Sequence, residues 1–270
     1  GQILRELIEN ARVIGGTNQA SSQAGKALYS TFVRGEIFMT DATTAEMVKL
    51  MENTYRDINI AAANEFARLA DRFQVDVWEA ISLANRHPRV QILNPGPGVG
   101  GHCISVDPWF FVEAAPDLAK LIHTARKIND SQPAFVKDFL ERKTGKIDGK
   151  KIAALGLAYK PDVDDLRESP AIETVNILRE AGAQVTFFEP FDLDHTIEGV
   201  SSACDLEEAV TEADMILLLV GHTQLKEIDP KLLYKITHAR ILLDTVNGWD
   251  KESFQNAGFL IYKLGDGKQA

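Results

Sequence analysis

The chain has 270 residues, 45% of them hydrophobic, a formal net charge of −10 and two cysteines, Cys103 and Cys204. That length allows a sizeable core divided between two domains, while the acidic balance excludes a nucleic-acid binder, which needs a basic patch to displace counterions from phosphates. Two thiols are too few for a disulfide framework, the longest apolar run (residues 215–220) is too short to span a bilayer, and the N-terminus lacks the ordered regions of a secretory signal, so a cytoplasmic chain with reduced thiols is expected.

Residues 1–14 carry a helical apolar pattern (Ile3, Leu4, Leu7, Ile8) running into Arg12-Val13-Ile14 and punctuated by Gly15 and Gly16. The start at Gly1, with no initiator methionine, suggests a fragment or a processed chain. A second helix is expected over residues 21–32 and a short strand over 36–40. Thr43-Thr44-Ala45-Glu46 fits a capping box with Thr43 as N-cap, opening an unusually long helix that runs to about residue 73. Its stretch 58–63 is small and apolar around much of the cylinder, so the helix is expected to bury itself against another element or another subunit, as in a homodimer. Glu46, Lys49 and Asn53 stand at i, i+3 and i+7 on one face of it. Lys49 and Asn53 read either as donors to a developing oxyanion or as a solvated face, with Glu46 closing the capping box.

After a helix over 77–84, the irregular segment 86–107 contains Asn94-Pro95-Gly96-Pro97-Gly98-Val99-Gly100-Gly101-His102-Cys103 and ends in Asp107-Pro108, a helix-start signal. Glycines permit positive φ and close approach of a ligand to the main chain, so Cys103 reads as a nucleophile in a ligand-hugging loop or as a small buried hydrophobe. Asp107 reads as an N-cap or as a carboxylate that orients water. His102 adjoins Cys103, but neighbouring side chains usually diverge, so it is taken as a backbone or solvent partner. Cys204, beside Asp205 at a helix start, is taken as structural.

Helices follow over 108–114 and 118–141, and residues 144–150 mark a domain boundary. From Lys151 short apolar strands at 152–155, 184–188, 215–220 and 241–243 alternate with helices starting near Pro170 and Asp205. The expected fold class is therefore α/β: a mostly helical domain with a long helix over 41–145, then a Rossmann-like, doubly wound parallel sheet over 150–270, its ligand at the carboxyl ends of the strands. The loop after the first of these strands, GLAYKPDVDDLRESPA (residues 156–171), turns at Gly156 and enters a helix capped by Ser169, where such sheets bind phosphates. It is not GxGxxG, and it reads equally as an ordinary loop with its charges paired at the surface. No metal-ligand spacing is present, so no metal is expected.

Taken in order, the Glu46/Lys49/Asn53 helix, the GPGVGGHC loop ending in Asp107 and the GLAYKPDVDDLRESPA loop resemble the UDP-glucose/GDP-mannose dehydrogenase family across essentially the whole chain. Residues 84–90 and 101–110 look most like its branch acting on UDP-N-acetyl-D-mannosamine, with UDP-N-acetylglucosamine 6-dehydrogenases the close second. The resemblance implies an NAD-binding Rossmann domain, a central helix that builds a homodimer and a C-terminal UDP-binding domain. Residues 1–40 would then be the end of the first, with Arg12 to Gly16 as its last strand. It further implies oxidation of a UDP-sugar 6-hydroxymethyl to a carboxylate with NAD, Cys103 carrying a thiohemiacetal and then a thioester. By the same resemblance Lys49 and Asn53 stabilise the oxygen, Asp107 orients water, and Lys160 contacts the nucleotide sugar, which also lies against Gly100 and Gly101. Arg167 would contact the NAD diphosphate, and Arg89 an active site across the dimer. Three departures stand out: Ser105-Val106 replace a Pro-Lys pair, which favours an N-acetylated sugar over glucose, Val163 replaces a threonine, and an arginine is missing from residues 244–249.

Overall fold

The computed structural model describes residues 3–268. It divides into two units, Gly1–Tyr55 and Arg56–Ala270. In the first, α1 (Ile3–Glu9) is followed by β1 (Arg12–Gly16), α2 (Gln19–Tyr29) and β2 (Ile37–Asp41), and the two strands pair in parallel with Arg12 opposite Ile37 and Gly16 opposite Asp41. Arg12-Val13-Ile14 thus leaves the helical pattern: α1 stops short of it, and the Arg12 N–H donates to the Glu36 carbonyl. The first two residues of the helix expected from the sequence, Gly1 and Gln2, lie outside the described residues.

The long helix α3 (Ala42–Phe73) starts in the first unit and ends in the second. Its cap is Asp41 rather than Thr43, because the carboxylate at the end of β2 accepts from the Thr44 N–H at 2.9 Å and from the Thr44 hydroxyl at 2.7 Å. The Thr44 backbone bond, with its hydroxyl next, holds the Asp41 carboxyl below the usual carboxylate range.

The second unit continues with α4 (Val77–Ala84), α5 (Asp107–Ala114), α6 (Lys120–Asp130) and α7 (Gln132–Thr144). The single helix expected over 118–141 is two, broken at Ser131, since Pro133 supplies no N–H and its ring would clash with the carbonyl four residues back. Small residues of α3 (Ala63, Ala67, Ala70) pack on Val77 and Ile81 of α4, which covers one part of its apolar face.

The sheet consists of β3 (Lys151–Leu155), β4 (Gln184–Phe188), β5 (Ser201–Ser202), β6 (Met215–Leu218), β7 (Ile241–Asp244) and β8 (Leu260–Lys263). Connecting them are α8 (Pro170–Glu180), α9 (Leu206–Val210), α10 (Thr223–Lys226), α11 (Pro230–Ile236) and α12 (Lys251–Asn256). All neighbours are parallel in the order β5-β4-β3-β6-β7-β8. Alternation along the strands feeds two cores: Ile152 and Ala154 of β3 face Phe139, Leu140 and Leu178 on one side, and Ala153 and Leu155 face Leu233, Trp249 and Phe254 on the other. The winding reverses between β3 and β6, which opens a crevice at the carboxyl ends of these strands. β6 ends before residues 219–220, where both N–H groups turn to the Leu155 carbonyl. Among the described residues no helix is long and apolar enough to cross a membrane.

Candidate functional site

Cys103 lies in a run of turns that begins at Gly101, whose φ of +86° suits glycine, and ends at α5. Its carbonyl accepts from the N–H groups of Val106 (3.1 Å) and Asp107 (2.7 Å), so the thiol stands at the very entrance of the helix. Asp107 is the first residue of α5 and Val106 takes the cap position without a side-chain bond, so Asp107 sits one step further in than a capping residue. The buried Ser105 hydroxyl donates to the Gly101 carbonyl and closes the turn.

The neighbours of the thiol come from its own turn and from the loop after β3. His102 Nδ1 lies 3.0 Å from Cys103 Sγ, contrary to the expected divergence of the two side chains. The chain is turned rather than extended here, and in helical turns successive side chains lie about 100° apart instead of on opposite faces. The Gly101 N–H donates to the Arg167 carbonyl, and a Cβ on Gly101 would come within 2.7 Å of the Tyr159 ring. Arg167 forms a forked pair with Asp165, Nε at 2.9 Å and Nη2 at 2.6 Å. The Arg167 bond brings the Asp165 carboxyl down to about 2, and the His102 ring contributes weakly in the same direction. Arg167 is raised in turn, chiefly by Asp165 and slightly by the Tyr159 and Cys103 groups. A cavity of about 690 Å³ opens beside this turn between α5, α6 and α8, lined by Val99, Ser105, Trp109, Arg126, Glu168 and Ile172.

Beneath the loop, α3, α6 and α7 build a polar network absent from the sequence reading. Asn64 Oδ1 accepts from the Gly96 N–H at 2.9 Å, and Gln132 Nε2 donates to the Gly96 carbonyl at 2.8 Å. Asn64 is bonded to Asn129, Asn129 to Asp57, and Arg126 bridges Asp57 and Asp130. Both backbone groups of Gly96 are therefore held by buried side chains, seven residues ahead of the thiol. The available signal was Asp57 and Asn64 at i and i+7 on a largely apolar helix.

A second missed pair sits in the crevice. Buried Glu189, just past β4, accepts from the N–H groups of Leu157 (2.6 Å), Ala158 (3.0 Å) and Phe191 (3.0 Å) and pairs with His222 Nε2 at 3.1 Å. Burial opposes its charge, yet the His222 bond and these N–H groups outweigh it and hold the carboxyl below the usual range. His222 Nδ1 accepts from the Asp162 N–H at 2.9 Å, and the Asp162 carboxylate accepts from the N–H and hydroxyl of Thr223. The loop carrying Lys160 is thus tied down on both sides of that lysine. Lys160 itself is exposed, with its ammonium 5.2 Å from the Tyr159 ring centre.

Lys49 and Asn53 lie on α3 within the first unit, Lys49 exposed and Asn53 buried. Arg89 is exposed in the segment after α4, Gly100 and Gly101 are buried, and Cys204 is exposed, so the latter is not a core residue. Among the described residues no group of three His, Cys, Asp or Glu side chains is arranged to hold a metal ion.

Comparison with known proteins agrees with this layout. Residues 43–131 match the central domain of the UDP-glucose/GDP-mannose dehydrogenase family, and residues 153–251 match its UDP binding domain. The UDP-N-acetyl-D-mannosamine dehydrogenase of Methanocaldococcus jannaschii is 50% identical over 273 residues, covering 100% of this chain and 62% of that protein. An NDP-N-acetyl-D-galactosaminuronic acid dehydrogenase of Ralstonia solanacearum is 48% identical over 252 residues, covering 92% of this chain and 58% of its own length. The structure of the UDP-D-ManNAc dehydrogenase from Pyrococcus horikoshii fits with a TM-score of 0.89 at 41% identity, over 99% of this chain and 63% of that one. The chain thus spans about 62% of the length of the M. jannaschii relative. With both of its matched regions in family order, the chain belongs to the UDP-glucose/GDP-mannose dehydrogenase family.

Proposed function

We propose that this chain supplies the central and UDP-binding parts of an NAD-dependent nucleotide-sugar 6-dehydrogenase that oxidises the 6-hydroxymethyl of a UDP-N-acetylhexosamine to the carboxylate. UDP-N-acetyl-D-mannosamine is the first choice of substrate, because relatives near 50% identity carry that name. The galacto configuration is the second reading, favoured by the relatives named for N-acetylgalactosaminuronic acid. The observation that carries the proposal is the Cys103 thiol at the entrance of α5, with the His102 ring and the Arg167 loop against it. In this reading Cys103 binds the sugar aldehyde as a thiohemiacetal and then a thioester. Lys49 and Asn53 steady the oxygen, and Asp107 orients the water that releases the acid. Lys160, Gly100 and Gly101 hold the nucleotide sugar, and Arg89 serves the partner subunit of a homodimer. Residues 1–40 close an NAD-binding domain, 41–145 form the central domain and 150–270 the UDP-binding domain, in a cytoplasmic enzyme.

NAD, when bound, accepts hydride. The described residues fit a contribution to it rather than its whole cradle. Arg167 is 65% exposed beside the thiol and suits a diphosphate. In contrast, the N–H groups of Leu157 and Ala158, which a dinucleotide-binding turn would offer to phosphate, are taken by Glu189. The chain purified alone is therefore expected to form no NADH from any UDP-sugar.

The test is NADH formation by the full-length protein with UDP-N-acetyl-mannosamine, -glucosamine and -galactosamine and UDP-glucose, beside its Cys103→Ala form. Two NADH per molecule of one sugar, lost in the variant, is expected. Binding of NAD without turnover of any sugar would overturn the reading in favour of a non-catalytic nucleotide-sugar module.

A further inference from the structure

Nothing in the sequence pattern gave His102 a role, yet its Nδ1 stands 3.0 Å from the Cys103 sulfur. In the neutral tautomer protonated on Nε2, the imidazole presents a lone pair at Nδ1 that accepts an Sγ–H hydrogen bond across this contact. His102 is exposed, and Nδ1 can therefore exchange its proton with solvent. Among the charged and titratable groups around the pair in the same unit are Asp165, Arg167, Tyr159 and Asp107, whose N–H donates to the Cys103 carbonyl. Asp165 favours a positive imidazolium, Arg167 favours a negative thiolate, and the two are held in register by their forked pair. The Ser105 hydroxyl on the Gly101 carbonyl and the Val106 and Asp107 N–H groups on the Cys103 carbonyl hold the backbone that carries both side chains.

We propose that His102 is a catalytic residue, the base that takes the Cys103 thiol proton as sulfur attacks the sugar aldehyde. This rests on the proposed dehydrogenase reading. In the step, the Sγ–H bond breaks and its proton goes to Nδ1, a carbon–sulfur bond forms, and the π pair of the carbonyl moves to oxygen. The oxygen then takes one proton from Nδ1–H, so that thiol and aldehyde give a neutral thiohemiacetal and a neutral imidazole. No oxidant is consumed in the addition. When the thioester is hydrolysed, the same nitrogen passes a proton from the attacking water to the departing sulfur.

The experiment follows alkylation of the Cys103 peptide by iodoacetamide, read by mass spectrometry, from pH 5 to about 9.5 in the full-length protein and its His102→Gln and His102→Asn forms, with far-UV circular dichroism to confirm the fold. At pH 6.5 both variants are expected to react roughly tenfold more slowly than wild type, the gap narrowing as the pH rises to about 9.5. Superimposable profiles in the folded variants would overturn the proposal. The measurement needs neither sugar nor NAD. NADH formation that survives Cys103→Ala would sink the dehydrogenase mechanism alone, and unchanged alkylation with active enzyme would sink the dyad alone.

Discussion

Glu189 satisfies three backbone N–H groups and one imidazole from a fully buried position, which makes it the most demanding single side chain of the crevice. Glu189→Gln keeps the shape but turns an NH2 group towards N–H donors, and is expected to cost about 1–3 kcal/mol at pH 7 in urea unfolding. The sign with pH is fixed. The folded carboxyl lies below its ordinary value of 4.5, so its contribution is complete above that value and is lost as pH falls through the folded one. The gap between wild type and variant should therefore close on acidification and stay constant above pH 5 to 6. Gly101→Ala probes the neighbouring constraint. At φ +86°, with the Tyr159 ring 2.7 Å from the new Cβ, it is expected to destabilise by about 1–3 kcal/mol and to slow Cys103 alkylation. Glycine density alone pointed to this loop, and Cys103 was legible for that reason. The partner of the thiol was not, because the rule that adjacent side chains diverge holds for extended chain and this segment is a turn.

At the scale of elements, the sheet was legible because buried parallel strands read as short apolar runs, and β3, β4, β6 and β7 stood out as such. β5 is two serines paired with Thr186 and Phe187, and β8 has exposed Leu260 and half-buried Tyr262, so neither offers an apolar run to find. The break between α6 and α7 was hidden by continuous helical periodicity on both sides of Ser131, although Pro133 announced it. Helix faces were legible only in part, since polar residues at i and i+7 also describe a solvated face. On α3 they instead build the clamp on Gly96, with Gln132 reaching it from α7. Gln132→Leu leaves the Gly96 carbonyl and Arg68 Nε without this partner, which predicts a loss of about 1–3 kcal/mol by denaturant titration. Because the clamp sets where the 96–103 loop sits, the same variant should lower kcat more than it raises KM in the full-length protein.

For the whole molecule, the remaining question is what covers the outer surface of the α3 and α4 pair. Ala63, Ala67 and Ala70 are satisfied by Val77 and Ile81, but Phe66, Leu69, Phe73 and Val75 remain exposed around a groove of about 350 Å³. Clustered apolar side chains of this kind mark an association surface. A second copy of the chain is the occupant that the proposed homodimer calls for. Leu69→Asp puts a carboxylate into the groove, where desolvating it would oppose association. Sedimentation velocity over a wide range of protein concentration is expected to find wild type as a dimer and this variant as a monomer with an unchanged circular dichroism spectrum. A wild type that stays monomeric throughout, or a variant that dimerises as tightly, would remove this face from the interface and leave its apolar side chains to a different partner.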